Sequence, residues 1–441
     1  MKIAFCLHHF LPQTVAGTEV YVLNLSRELK KQGTEVVVII PNLGSNETNE
    51  YFYEEIKVIR YAENSVESRQ MILGQQMPDG LPLFIHILEK ETPSIVHFHE
   101  LAPGRAFNIN HLVAAKERGF RVFMTFHMPH LTCTTGSLFY KAAFACDGMI
   151  RRDKCTSCAY HSRGITSNLF NTVLTKTAGL LYGMGIDTSK MNNGPGTALA
   201  YPFLIDQLKK NLRLLSDSCD KIIVLAHWYR KILEINEVPE SKLIYIQQGL
   251  PEGGGSINSS KNNDGRLKII FVGRISEFKG VHLLIEAFTQ IAPENISLDI
   301  YGPETDENYV TRCKNMADGM ENIQWKGMLA SDNRVDTLAG YDILCLPSTF
   351  SEMSPLVIQE AYEAGIPVLA SNVYGNKEQI ADNENGWLFR FKDSNDLASK
   401  LKYLVENPSV VVKAKSCLPM PSRFDGIASA HLNVYNNLER N

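Results

Sequence analysis

One stretch near the C-terminal end constrains the fold of this chain more than any other. A short apolar run at 341–346 (YDILCL) predicts a buried strand, and 355–364 predicts a helix that Gly365 ends. A second apolar run at 366–370 predicts the next strand. Together they predict a strand–loop–helix–strand unit of a parallel sheet.

The loop and the helix start in this unit have the features of a ligand site. Ser354 suits the N-cap and Pro355 the first helical position, where no N–H is needed. Free amides near Ser354 to Leu356, at the carboxyl end of a strand, offer an anion seat. Glu352 and Glu360 flank this seat and predict a ligand with hydroxyls as well as phosphate. Two solvated surface charges would give the same pattern.

The rest of the chain also alternates strands and helices. Strands are predicted at 3–10, 35–41, 56–61, 94–99, 121–127, 242–246, 267–272, 297–301 and 322–326. Such alternation predicts α/β domains with doubly wound parallel sheets. We expect a first domain at 1–248, a Gly-, Ser- and Asn-rich linker at 249–266, a second domain at 267–420 and a C-terminal helix at 421–441.

Charge and cysteine usage narrow the class of protein. The net charge of −4 argues against nucleic-acid binding by bulk electrostatics, and no apolar run reaches the ~18 residues of a membrane span. His8 and His9 interrupt the apolar N-terminal run, so we expect a strand there and not a signal peptide. Nine cysteines without a secretory signal predict reduced thiols in the cytoplasm.

Strand ends in the first half supply three candidate positions. Gly17, in the loop before the first helix, would let a phosphate approach the backbone, although a plain turn explains it equally well. His97 and His99 share one face of a strand end, and one or both could be hydrogen-bonded structural histidines. His127 ends the next strand and is the better site candidate.

Four cysteines lie close together in the sequence. Cys133, Cys146, Cys155 and Cys158 predict a structural metal site with four thiolate ligands, most often zinc. An iron–sulfur cluster uses the same ligands, His161 could replace one of them, and four ordinary thiols remain an alternative. The insertion that carries them, about 128–215, ends in a segment that could be helices covering the sheet or an acceptor-facing surface that touches membrane.

Two cations lie in one strand-to-helix loop of the second half. Arg274 and Lys279 follow the strand at 267–272 and could clamp a diphosphate, with the Arg side chain offering a two-pronged donor. A solvated loop with two basic residues is the alternative.

The assembled motifs resemble a known family. They are Gly273-Arg274 with Lys279-Gly280, Glu352 with Glu360, Gly365-x-Pro367-Val368, Ala16-Gly17-Thr18-Glu19, the strand ending at His127, and Asp220 to Val224. This set is similar to family-four (group 1) retaining glycosyltransferases, whose two Rossmann-like domains face across a cleft in the GT-B fold. Some bacterial members, of the surface-polysaccharide type, are also similar in carrying a four-cysteine insertion. The C-terminal helix would then cross back to the first domain.

The resemblance implies a role for each matching position. Gly17, Arg274, Lys279 and the backbone of Ser354, Pro355 and Leu356 would bind the donor diphosphate, and Glu360 would bind the ribose. Glu352 would hold sugar hydroxyls, and His127 would lie near the transferred sugar. No catalytic metal is then expected.

Two departures from the family pattern affect details. Ala16 replaces the first of two glycines, and Met353-Ser354-Pro355 replaces the more usual Gly-Phe-Gly. The second change resembles enzymes of surface-polysaccharide assembly and bears on sugar preference.

The resulting hypothesis is a retaining glycosyltransferase that uses a nucleotide-diphosphate sugar, of the UDP type, and acts on a glycan or lipid-linked acceptor. We expect it in the cytoplasm, with peripheral membrane contact and no nucleic acid. The alternatives are a non-hydrolysing sugar-nucleotide epimerase and a non-catalytic sugar-nucleotide-binding protein.

Overall fold

A computed structural model describes residues 1–64, 69–102, 106–191, 194–251, 265–329 and 334–437. The chain forms two compact units, one of Met1–Gln247 with Phe424–Asn441 and one of Gln248–Arg423. Most of the linker expected at 249–266 lies outside the described residues. No helix in the described ranges is long and apolar enough to cross a membrane.

The first unit is built on a sheet of eight strands. The strands of this unit are β1 (Lys2–Cys6), β2 (Glu35–Leu43), β3 (Asn49–Tyr53), β4 (Ile56–Glu63), β5 (Ile95–Phe98), β6 (Arg121–Phe126), β7 (Phe139–Tyr140), β8 (Phe144–Ala145), β9 (Lys221–Val224) and β10 (Leu243–Tyr245). The sheet has the order β10-β9-β6-β5-β1-β2-β4-β3, and β7 and β8 form a separate hairpin. All neighbours in the sheet are parallel except β3, which pairs antiparallel with β4.

Helices connect these strands and cover the sheet. They are α1 (Gly17–Lys31), α2 (Arg69–Ile72), α3 (Leu81–Glu91), α4 (Ile109–Glu117), α5 (Arg152–His161), α6 (Asn168–Gly183), α7 (Gly194–Leu199), α8 (Tyr201–Ser218) and α9 (His227–Ile235). The segment at 162–215, which the sequence left open, is therefore mostly helical, and α8 packs on both α4 and α5.

The second unit is a sheet of six strands, all parallel. They are β11 (Leu267–Val272), β12 (Ile296–Tyr301), β13 (Ile323–Gly327), β14 (Ile343–Leu346), β15 (Val368–Ser371) and β16 (Gly386–Phe389), in the order β13-β12-β11-β14-β15-β16. Its helices are α10 (Val281–Phe288), α11 (Glu307–Met316), α12 (Arg334–Ala339), α13 (Leu356–Glu363), α14 (Tyr374–Gln379), α15 (Ser394–Glu406) and α16 (Pro408–Lys415).

Alternate residues of the central strands face opposite layers of helices. Ile269 and Cys345 belong to a core cluster with residues of α10, α11, α15 and α16, whereas Ile270 and Leu344 belong to one with residues of α12 and α13. Because both faces are buried, these strands are nearly continuous apolar runs. The prediction of doubly wound α/β domains is confirmed.

The last helix, α17 (Phe424–Asn437), returns to the first unit and packs on α1. The predicted first strand is wrong in length, since β1 ends at Cys6, where its neighbour β5 ends at Phe98. A Gly-Asn pair is typical of a turn, but Gly375 and Asn376 lie in α14, so that prediction from the sequence is wrong.

Candidate active site

Two loops at the carboxyl ends of β11 and β14 are fastened to each other. The Thr349 N–H donates to the Phe278 carbonyl at 2.7 Å, and the Thr349 hydroxyl donates to the Glu277 carbonyl at 2.8 Å. Gly280 has a φ of +72°, and a Cβ there would lie 2.0 Å from the Pro347 carbonyl oxygen. A side chain at Gly280 would therefore push the two loops apart.

Lys279, Glu352 and Ser348 meet where these loops join. The ammonium of Lys279 lies 2.5 Å from Oε1 of Glu352, and the Ser348 hydroxyl donates to the same oxygen at 2.7 Å. Glu352 is only 7% exposed, so the cation offsets the cost of burying its charge. The Lys279 ammonium also lies 5.2 Å from the centre of the Phe350 ring. We call Lys279, Glu352 and Ser348 the carboxylate cluster.

The backbone behind Glu352 is held by α14. A Cβ on Gly375 would lie 2.1 Å from the Glu352 carbonyl oxygen, so only glycine allows this contact. The Asn376 amide donates to the Ser371 carbonyl at 3.1 Å, and the Ser371 hydroxyl donates to the Ser348 carbonyl at 2.7 Å. The ends of β14 and β15 thereby fix the carboxylate cluster in place.

Helix α13 begins one residue later than the sequence predicts. Pro355 is the N-cap, with φ −68° and an extended ψ of 116°, and Leu356 is the first helical residue. The prediction of Ser354 as N-cap is therefore wrong, and no side chain caps this helix. The Ile358 N–H donates to the Pro355 carbonyl at 3.2 Å, whereas the Leu356 and Val357 amides precede every helical acceptor, so these two amides and the helix dipole still offer an anion seat.

Glu360 on α13 has a partner that the sequence did not reveal. Arg334, the first residue of α12, donates to Oε1 of Glu360 at 2.7 Å. Oε2 of Glu360 and Nε of Arg334 are both buried without a hydrogen-bond partner among the described residues. Burial raises the pKa of Glu360, and the Arg334 guanidinium partly offsets that effect. A buried acceptor without a donor suits ligand hydroxyls.

Arg274 stands at the end of β11 with its side chain in solvent. The Gly273 N–H donates to the Tyr301 carbonyl at 3.0 Å and the Ile275 N–H to the Pro303 carbonyl at 3.0 Å, which fixes the backbone on either side of Arg274. Arg274 is exposed and forms no ion pair with any described residue. Its charge is therefore available to an anion.

In the first unit, Gly17 opens helix α1. The preceding residue, Ala16, is an extended N-cap without a side-chain hydrogen bond. Gly17 is exposed, and a Cβ there would meet no atom within 4 Å. No described residue outside α1 and the adjoining chain lies against the Cβ side of Gly17, so its amide is accessible to a ligand.

His127 follows β6 and forms a pair with His99. Nε2 of His127 lies 3.1 Å from Nδ1 of His99, and the Tyr21 ring packs edge-on at 5.0 Å between ring centres. Although part of His127 is accessible, burial of its ring, with a contribution from His431, lowers its pKa to about 3. His127 is therefore a neutral hydrogen-bonding group at neutral pH and not a cation.

His97 has a structural role in this unit. Its ring is buried between the Tyr435 hydroxyl of α17 at 2.7 Å and the Thr125 hydroxyl at 2.8 Å. His99 differs, because its Nε2 is buried without a described partner. The sequence could not separate the two histidines because alternation places both on one face of the predicted strand at 94–99.

The four cysteines of the insertion line one small cavity of about 20 Å³, as does Lys154. All four carry free thiols, and burial raises the pKa of Cys155 to about 11. Across the described part of the chain, no three His, Cys, Asp or Glu side chains are arranged to hold a metal ion.

Both units match glycosyltransferase families. Residues 256–417 match the model of the group 1 glycosyl transferases, and residues 15–152 match glycosyltransferase family 4. The phosphatidyl-myo-inositol mannosyltransferase of Mycobacterium leprae is 29% identical over 201 residues, which cover 42% of this chain and 53% of that one. The chain spans about half the length of the curated relatives it matches.

Solved structures share the whole fold. Sucrose-phosphate synthase from Thermosynechococcus elongatus is similar with a TM-score of 0.68 and 15% identity, over 100% of this chain and 99% of that one. HepE of Anabaena in complex with UDP-glucose is similar with a TM-score of 0.60 and 14% identity, over 100% and 98% of the two chains. The chain therefore has the GT-B fold, with a match to the group 1 glycosyl transferases in its second unit and a match to glycosyltransferase family 4 in its first.

Proposed function

We propose that this chain is a retaining glycosyltransferase that moves a sugar from a UDP-sugar to a glycan or lipid-linked acceptor in the synthesis of a cell-surface polysaccharide. The observation that carries the proposal is the carboxylate cluster beside the N-terminus of α13. There the Lys279–Glu352 pair stands next to the anion seat at the start of α13. A glycosyl diphosphate requires both features, a carboxylate for its sugar and positive charge for its diphosphate.

Each of these side chains and amides has a role in the proposed sugar transfer. Transfer builds positive character on the sugar carbon and negative charge on the departing diphosphate. Arg274, Lys279 and the first-turn amides of α13 stabilise that negative charge, so no metal is required for the leaving group. Glu352 accepts hydrogen bonds from sugar hydroxyls, and Glu360 accepts them from the ribose through Oε2, which has no other donor among the described residues.

Groups in the first unit complete the proposal. The exposed amide of Gly17 donates to the diphosphate, and neutral His127 hydrogen-bonds the transferred sugar. The UDP donor is supported by HepE, whose structure was solved with UDP-glucose. A role in surface polysaccharide is supported by a 26% identical relative in Escherichia coli, over 37% of this chain, named as a colanic acid biosynthesis glycosyltransferase. We place the enzyme in the cytoplasm, on the inner face of the membrane.

Incubation with a panel of sugar nucleotides tests this function. Slow release of free sugar and nucleoside diphosphate from one donor, and transfer when an acceptor extract is added, are the expected results. Isomerised donor without transfer would identify an epimerase. Donor binding without turnover would identify a non-catalytic binding protein. The absence of both binding and turnover with every donor would contradict the proposal.

Replacing Glu360 with Gln should weaken donor binding and leave the chemical step intact. We expect Glu360→Gln to raise the KM for donor about tenfold, or ~1.4 kcal/mol, with kcat nearly unchanged, because the ribose is remote from the reacting carbon. Steady-state kinetics at varied donor concentration measure both constants. A tenfold fall in kcat at unchanged KM would remove Glu360 from the ribose site.

The same residue predicts a pH dependence. Burial raises the pKa of Glu360, so its carboxylate takes up a proton at a higher pH than an ordinary glutamate does. Donor affinity that depends on the carboxylate is therefore complete above the raised pKa and falls as the pH drops through it. In Glu360→Gln, donor affinity should not fall at low pH in this way. If the variant showed the same fall, the titrating group would be a residue other than Glu360.

The structural metal site also remains a proposal, with zinc as the first candidate. It is supported by the four thiols that line one cavity, because four cysteine ligands are typical of structural zinc sites. We expect about one zinc per chain in protein purified without oxygen, lost in Cys155→Ser and kept in Cys417→Ser, whose thiol is exposed elsewhere. Iron with visible absorption would indicate a cluster instead. Less than about one zinc or iron per chain would contradict the site.

A further inference from the structure

Helix α6 presents its apolar side to solvent. The exposed side chains are Leu169 (79%), Phe170 (58%), Val173 (53%), Leu180 (64%) and Met184 (65%), the last of these capping the helix. At about 100° per residue, these five positions fall within an arc of roughly 100°. We call them the α6 stripe. No described residue covers it.

The fully buried side chains of α6 are polar or small, and of its larger apolar residues the half-buried Leu174 packs on the cluster of Ala159, Tyr160 and Tyr201. Asn171, Thr175 and Ala178 face α5 and α8. The Asn171 amide donates to the Ser157 carbonyl at 3.0 Å and to the Ile165 carbonyl at 3.1 Å, and it accepts from the Ser157 hydroxyl at 2.6 Å. The helix is therefore fixed with its apolar stripe pointing outward. The stripe is not buried when the unit folds, so it is available to an external partner.

Helix α6 carries a lysine and no acidic residue, and Asp206, which accepts from the Tyr182 hydroxyl of α6, is itself paired with Arg152. The sequence has no Asp or Glu from Lys154 to Ile186, whereas the whole chain has a net charge of −4. Lys176 on α6 is exposed and has no acidic partner among the described residues. Lys141 reaches the start of α6 at Asn168, and Arg163 stacks on Tyr201. A partner of this face must be apolar in part and anionic in part.

We propose that the α6 stripe docks on the surface of an anionic phospholipid membrane. Such a surface accepts apolar side chains at the boundary of headgroups and acyl chains and attracts lysine and arginine to its phosphates. A second copy of the chain fits less well, because two such faces would bring unpaired cations together. This inference deepens the proposed function. It rests on that function in one respect, because a lipid-linked acceptor would lie in the same membrane surface.

Co-sedimentation with vesicles, without donor, tests the docking. We expect wild-type protein to bind vesicles of phosphatidylcholine with phosphatidylglycerol at least about tenfold more tightly than phosphatidylcholine alone, and less tightly as salt rises. Phe170→Ser with Leu180→Ser should lose most binding to both vesicles. Lys176→Glu should lose the preference for the anionic lipid.

A matched double variant in the second unit serves as control. Met328→Ser with Val412→Ser changes side chains that are 77% and 68% exposed, and it should bind vesicles as wild type does. Wild-type protein that binds neither vesicle, or a stripe variant that binds fully, would overturn the proposal. So would a dimer that the stripe variant alone dissociates, which would make the stripe a contact between copies. Donor hydrolysis of the stripe variant should equal that of wild type, so a failed donor assay and a failed vesicle assay are separate results.

Discussion

Glu352→Gln should lower kcat for sugar transfer by about 100-fold or more, equivalent to ~2.7 kcal/mol of transition-state stabilisation. The amide keeps the size of the side chain but has no negative charge to place beside the sugar carbon or the Lys279 ammonium, 2.5 Å away in the wild type. Initial rates at saturating donor and acceptor measure the effect. Because one oxygen remains, the Ser348 hydroxyl keeps its acceptor, and the loop should stay folded.

A second glutamate on the same stretch provides the control. Glu363, at the end of α13, accepts from Arg423 at 2.6 Å and lies outside the carboxylate cluster. Glu363→Gln should keep kcat within about twofold while losing a comparable ion pair. If Glu352→Gln retained wild-type kcat with an unchanged melting temperature, Glu352 would have no part in transfer.

The sequence specifies most of the buried strands because their signal is local. β11 is apolar except for Lys268, and its predicted bounds of 267–272 are confirmed. β3 (Asn49–Tyr53) went unrecognised, since its pattern of exposed and half-buried residues on the sheet edge resembles a loop. The character of the insertion stayed open for another reason. Its helix α6 has apolar residues outside and Asn171 inside, so periodicity alone cannot tell which face is buried.

The site residues could be predicted where they lie in loops that follow the carboxyl ends of strands. Arg274, Lys279 and Glu352 each follow a strand by a few residues, and the parallel sheet brings their loops together. Contacts between distant segments left no such pattern. Arg334 meets Glu360 from another helix, and Gly375 approaches the Glu352 carbonyl from within α14, whereas its Gly-Asn pair predicts a turn. A glycine at the start of a short helix was the one available signal for that close approach.

Lys279→Met should have the largest effect of any single change in the second unit, lowering kcat about 1000-fold, or ~4 kcal/mol. Two losses combine. The departing diphosphate loses a cation that Arg274 alone cannot replace, and Glu352 is left as a buried carboxylate without its counter-ion. The methionine keeps an unbranched side chain against the Phe350 ring, so packing changes little. Rapid-mixing measurements of a single turnover report the chemical step directly.

Lys314 gives a close match for the same substitution. Its ammonium pairs with Glu304 at 2.9 Å and lies 5.5 Å from the centre of the Trp325 ring, as Lys279 does with Glu352 and Phe350. Lys314→Met removes an equivalent ion pair and ring contact far along α11, so we expect wild-type turnover. Lys279→Arg restores the positive charge and should recover part of the rate. Recovery should be partial, because a guanidinium differs in shape from the ammonium that it replaces. Equal turnover in Lys279→Met and Lys314→Met would show that the Lys279–Glu352 pair serves the fold alone.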